Sequence, residues 1–146
     1  EFTDYAWIDD VTAVSCPTNV AQLVAIARNR SLASIARTWL ARFNARDLDG
    51  LVALYDADAV HVSPKLRDRR PETRGEIRGK RALHEWWADA FARIPGLRYE
   101  ERGVTSSHER VFLEYVRRAP GEADLLVAES YVVRGGKIVE SRVFHG

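Results

Sequence analysis

Two acids stand where strand sequence rarely puts them. Glu129 lies within the apolar run LLVAESYVV, and Glu114 is flanked by Leu113 and Tyr115. Glutamate is depleted in strands and is seldom fully buried unless paired. A carboxyl held in an apolar interior is harder to ionise, so its pKa rises toward neutrality, the range that suits general acid/base work. Two imidazoles accompany the acids: His61 in AVHVSP, and His145 in the closing run SRVFHG. An unperturbed imidazole titrates near neutral pH. The set points to proton transfer, with Glu129, Glu114, His61 and His145 as the candidate groups. The competing reading is structural. Either Glu then points outward and pairs with Arg117, Arg118, Arg134 or Arg142, and His61 is a packed core residue.

Strand parity decides which of these side chains share a face. His61 and Ser63 share one. Phe112, Glu114 and Val116 share another, as do Val127, Glu129, Tyr131 and Val133, and Ser141, Val143 and His145. Strands are expected over 98–106, 110–118, 125–134 and 137–145, with Gly135-Gly136 as a tight hairpin turn. Helical periodicity precedes them. A first helix over 31–46 carries the stripe Leu32, Ile35, Ala36, Trp39, Leu40 and Phe43. A second is capped by Asp47 and broken at Asp56 and Asp58, after which a strand leads to Pro64. A third over 80–94 buries Leu83, Trp86, Trp87, Ala90 and Phe91, and Pro95-Gly96 ends it. Helices followed by antiparallel hairpins make an α+β fold. If the sheet curves round the helices and leaves a pocket, Trp39, Phe43, Trp86, Trp87 and Tyr131 are expected to line or shape it, with Ser63, Glu114, Val143 and His145 as further ligand contacts.

The run WLARFNARDLDGLVALYDADAVHVSP, residues 39–64, resembles the SnoaL-like branch of the nuclear transport factor 2-like superfamily. The matching pieces are Asp47-Leu48-Asp49-Gly50, Ala53-Leu54-Tyr55, Asp58-Ala59-Val60 and Ser63-Pro64. Ile77-Arg78-Gly79-Lys80-Arg81-Ala82-Leu83 and the closing strand from Gly136 to Val143 add to them. The resemblance covers 31–146 and leaves 1–30 as an N-terminal extension. It implies a cone: three main helices packed in a strongly curved, mostly antiparallel sheet, with a pocket inside and a homodimer through the open face of the sheet. It also implies that Glu129 matches the penultimate-strand acid of steroid-isomerase relatives. Their general-base Asp and first-helix Tyr are replaced here by Ser63 and Trp39. A Ser is no base at neutral pH and an indole N–H only donates, so that mechanism is disfavoured, and His61 is the substitute base. Glu129 with His61 or His145 is compatible with SnoaL-type aldol cyclases.

In the extension, Tyr5, Trp7 and Ile8 are apolar. Val20, Leu23, Val24 and Ala27 form a short helical stripe expected to stop at Asn29, with Ser31 capping the next helix. The extension reads as a packed appendage, or else as a lid or partner-binding arm. Residues 65–81 hold eight cations (Lys65, Arg67, Arg69, Arg70, Arg74, Arg78, Lys80, Arg81) against three anions, an excess of five. Pro71 and Gly75 suggest loop. Such a run is either a solvated face or an attractor of anionic ligands to a nearby cavity. Without interleaved aromatics it does not suit single-stranded nucleic acid.

The 146 residues carry a formal net charge of +1, so nothing draws the whole molecule to nucleic acid or an anionic membrane. One cysteine, Cys16, allows neither an internal disulfide framework nor a cysteine zinc site. No apolar run is long enough to span a bilayer, and the first residues do not read as a signal peptide. A cytoplasmic protein is expected. Phosphate-loop, dinucleotide and nucleophile-elbow motifs are absent, and no close ligand spacing suggests a metal, so no cofactor is expected. The expected function is proton-transfer catalysis on a mostly apolar small molecule, by an isomerase, cyclase, dehydratase or hydrolase. The alternative is a non-catalytic ligand-binding or dimerisation module of the same fold.

Overall fold

Asn19 opens the first helix, α1 (Val20–Ala45), its side-chain oxygen accepting the Gln22 N–H at 3.0 Å. The structure is a computed structural model that describes residues 19–145. Tyr5, Trp7, Ile8 and Cys16 lie outside the described residues. The break expected at Asn29 and Ser31 does not occur, because α1 runs through both for 26 residues. Asn and Ser lower helix propensity by only a fraction of a kcal/mol. The buried stripe Leu32, Ala36, Trp39, Leu40 and Phe43 outweighs that. The upstream stripe is different: Val20, Leu23 and Val24 are exposed.

Arg46 turns left-handed at φ 56° and closes α1. Asp47 then caps α2 (Leu48–Ala53), accepting the Gly50 N–H at 2.9 Å, as its spacing predicts. Strand β1 (Tyr55–Val62) leads to Pro64 at the start of α3 (Pro64–Arg69). A 3₁₀ turn (Pro71–Thr73) and β2 (Glu76–Arg78) follow. The basic segment is therefore mostly regular structure, not loop. Helix α4 (Gly79–Arg93) buries Leu83, Trp86 and Trp87. Strands β3 (Arg98–Ser107), β4 (Arg110–Arg118), β5 (Leu125–Arg134) and β6 (Lys137–His145) complete the chain. Gly135 and Gly136 both have positive φ, as a tight two-residue hairpin demands.

The six strands form one sheet in the order β2-β1-β6-β5-β4-β3. Among the described strands only β1 and β6 pair in parallel; the other neighbours are antiparallel. Register shifts interrupt the β1–β6, β3–β4 and β5–β6 ladders. Such irregularities bend strands, and the sheet curves round α1 and α4 as a cone. Register sets the site: Glu129 stands between Leu113 of β4 and Val143 of β6, and His61 lies opposite Ser141. An aromatic stack lines part of the cone's interior. Phe43 lies 4.0 Å from Tyr99, and Tyr99 4.3 Å from Tyr115, centroid to centroid. No helix among the described residues is long and apolar enough to cross a membrane.

A candidate acid/base site inside the cone

Helix α1 contributes Trp39 and Phe43 to a cavity of about 130 Å³, and α4 contributes Trp86 and Trp87. The sheet supplies His61, Tyr115, Val127, Glu129, Val143 and His145, and Ser63 follows directly after β1. Inward parity explains this set on β1, β5 and β6. Residues 61 and 63, 127 and 129, and 143 and 145 all alternate with outward neighbours.

Glu129 is 1% exposed. Its Oε2 accepts a hydrogen bond from Tyr115 Oη at 3.2 Å, while Oε1 has no hydrogen-bond partner among the described residues. Tyr131 Oη stands near the same carboxyl but outside hydrogen-bonding geometry. Burial pushes the Glu129 pKa up to about 8, against the two tyrosine hydroxyls, which pull it down. Among the described residues no cation pairs with it within 4 Å, and its side chain is buried, so the outward ion-pair reading fails for Glu129. At pH 7 it is mostly a neutral acid with one oxygen uncommitted.

His61 is 2% exposed, and its Nδ1 lies 2.7 Å from Ser141 Oγ. Ser141 Oγ also lies 3.2 Å from Tyr55 Oη, which accepts from Trp39 Nε1 at 2.9 Å. An indole N–H can only donate, so the chain has a direction. Trp39 donates to Tyr55, Tyr55 to Ser141, and Ser141 to His61 Nδ1. Any other arrangement of these four groups leaves a buried hydroxyl hydrogen unpaired, which is costly. His61 Nδ1 is thus an acceptor, and the proton of the neutral ring sits on Nε2. Burial lowers the His61 pKa to about 4, so the ring is neutral at pH 7. The base role expected of His61 does not suit this arrangement, because its cavity-side nitrogen carries the proton. Trp39 is likewise committed to Tyr55 and has no donor left for a ligand.

The mouth of the cavity is cationic. Lys65 and Arg69 come from α3, Arg93 from the end of α4, and Arg117 from β4. Arg117 is 8% exposed and holds Glu122 through two bonds, at 2.7 and 3.4 Å. His145 lies among these groups. Burial, then the charges of Lys65 and Arg117, lowers its pKa.

Glu114 is a correction. It is exposed on the outer face of β4, because the buried parity is Val111, Leu113, Tyr115 and Arg117. That set is the more apolar of the two and was the signal available in the sequence. Tyr131 is buried behind the cavity, 5.5 Å from Trp39 between ring centroids, and does not line it. The expected residues omitted Tyr55, Tyr99, Tyr115, Arg117 and Ser141. Among the described residues no three His, Cys, Asp or Glu side chains cluster as a metal site requires.

A profile of the SnoaL-like domain family matches residues 36–141. No curated protein matches the sequence. Several solved structures share the fold. A SnoaL-like protein of unknown function from Burkholderia thailandensis superposes with a TM-score of 0.70 at 21% identity, over 89% of this chain and 99% of its own. TerC, co-crystallised with polyporic acid, gives 0.69 at 21% identity, over 80% and 92%. A protein of ketosteroid isomerase-like fold from Catenulispora acidiphila, in complex with trimethylamine, gives 0.64 at 19% identity, over 75% and 83%.

Proposed function

The chain belongs to the SnoaL-like domain family, and from that premise we propose that it binds a mostly apolar small molecule in the cone and moves a proton on it. An isomerase, cyclase, dehydratase or hydrolase reaction would use such a step. The observation that carries this reading is Glu129: a buried carboxyl with a raised pKa and an unpartnered oxygen, beside a cavity it shares with His61. That two structural neighbours hold small molecules also supports it.

The ionised fraction of Glu129 grows as pH approaches 8. As carboxylate it takes a proton from a carbon next to a carbonyl, and the electron pair moves to the carbonyl oxygen. His61 Nε2–H donates to that developing oxyanion. A neutral imidazole is the better-matched donor here, since it gives a hydrogen bond without giving up its proton. Protonated Glu129 then returns the proton to the carbon skeleton and is regenerated. Trp86 and Trp87 hold the apolar body of the substrate. We also propose a homodimer through the outer face of the sheet, where Phe112, Leu126 and Phe144 are exposed.

Exchange of the α-protons of a panel of aryl ketones in heavy water, followed by NMR, tests the reading. The native protein should accelerate exchange increasingly from pH 6 to pH 8. Glu129→Gln should lose at least about 10²-fold, and Glu114→Gln on the outer face should lose nothing. Exchange no faster than buffer, or undiminished in Glu129→Gln, overturns the proposal.

A further inference from the structure

We infer that the ligand of this cavity is a single-ring aromatic acid, bound with its ring against the aromatic wall and its acidic group at the mouth beside Arg117, Lys65 and Arg69. The inference rests on the reading that the cavity takes a small molecule, and names the class of that molecule.

Size comes first. A cavity of about 130 Å³ compares with the roughly 150 Å³ apolar cavity that admits benzene. The space is on the scale of one ring, and Trp39, Phe43, Trp86 and Trp87 are among the walls.

Charge sets the orientation. Four cations line the cavity, Lys65, Arg69, Arg93 and Arg117, against two acids, Glu122 and Glu129. Glu129 is uncharged below its raised pKa. Arg93 is held by Asp89 at 2.8 Å. Asp68 is close enough to act on His145, yet burial and the cations prevail there. Lys65 and Arg69 make no ion pair within 4 Å among the described residues. The positive excess therefore sits at the mouth. An acidic group at the deep end would instead face Glu129 Oε1.

Arg117 supplies the geometry. A nearly buried guanidinium is a planar fork that matches a carboxylate. Glu122 occupies this fork and is itself half-exposed, with 48% of its side chain open to solvent. A ligand carboxylate can share the fork or replace Glu122 in it. The basic stretch after β1 thereby has a use: Pro64 starts a helix that aims Lys65 and Arg69 at the cavity rim.

Titration with benzoate and with its neutral isostere benzamide at pH 6.5, read by tryptophan fluorescence and by NMR shifts of the indole N–H signals, tests this. Benzoate should bind at least about tenfold more tightly, the scale of one charge-assisted contact. Added salt should weaken benzoate alone. The exposed pair Lys65→Gln/Arg69→Gln and, separately, Arg117→Gln should shrink the preference. Glu122→Gln should increase it by removing the competing carboxylate, and that variant keeps the Arg117 side chain in place. Equal or tighter binding of benzamide overturns the acid assignment and leaves the cavity reading standing. If neither compound perturbs the tryptophans, both fall.

Discussion

Glu129 is kept at a cost to the fold, and the cost has a pH signature. Its folded pKa of about 8 lies above the value near 4.5 of an unburied Glu. The folded chain therefore holds a proton that the unfolded chain has released between those two values. Stability is unaffected by Glu129 below the lower value, falls as pH rises between them, and levels off above about 8. Gln has the same shape and no charge to bury. Glu129→Gln should thus match the parent at pH 5 and melt at higher temperature at pH 8, while losing the proposed exchange activity. A mutant destabilised at pH 8 and not at pH 5 would mark Glu129 as an ionised structural partner. The relay to His61 makes a second prediction. Ser141→Ala removes the donor to Nδ1, so ¹⁵N NMR of the imidazole should change from the pure Nε2–H form to a mixture of tautomers. Ser141→Thr should restore the pure form. A native ring protonated at Nδ1 would overturn the direction of the relay.

At the scale of elements, α1 is tied to β3 by the Arg37–Glu101 ion pair, by Ser106 Oγ donating to the Asn29 carbonyl, and by the amide of Asn44. Asn44 Nδ2 donates to the Tyr99 carbonyl at 2.8 Å, and the Tyr99 N–H donates to Asn44 Oδ1 at 2.9 Å. Strand β3 is the outermost of the described strands on its side of the sheet, and these bonds satisfy backbone groups that no described strand pairs. They also hold Tyr99 against Phe43 and Tyr115 in the cavity wall. Asn44→Ala should lower stability by about 2 kcal/mol, near 1 for each partly buried bond, measured by denaturant unfolding. It should also weaken ring binding. A loss below about 0.5 kcal/mol, the low end for a single bond, would show that water replaces the amide. Asn44 is one of the features that sequence periodicity passes over, since it falls outside the apolar stripe. The stripe itself, the Asp47 cap, the four C-terminal strands and the inward parity of His61 and Glu129 were all legible, because each is a local pattern. On β4 the more apolar alternate set, which includes Tyr115, turns inward and leaves Glu114 outside. The relay from Trp39 to His61 was illegible for another reason: it depends on the parallel pairing of β1 with β6, between residues some eighty positions apart.

At the scale of the whole molecule, the curved sheet has an inner face committed to the core and an outer face that is open in part. Phe112 on β4, Leu126 on β5 and Phe144 on β6 are 39, 56 and 44% exposed. They sit on adjacent strands, with Leu126 opposite Val116 and Phe144 opposite Ala128. Scattered exposed apolar residues need no partner, but large ones gathered on one sheet face mark an association surface. A two-fold dimer buries the same patch from both copies, which fits the homodimer proposed above. Light scattering on a sizing column should give twice the chain mass at tens of micromolar. Leu126→Lys with Phe144→Lys should give the single-chain mass with an unchanged circular dichroism spectrum, since neither side chain is buried within one chain. The cavity mouth is formed by α3, the end of α4 and the inner face of β4, so the monomeric variant should still distinguish benzoate from benzamide. A native monomer at that concentration, or a double variant that still dimerises, would remove the outer face as the interface. Loss of ligand binding on monomerisation would mean instead that the partner copy completes the site.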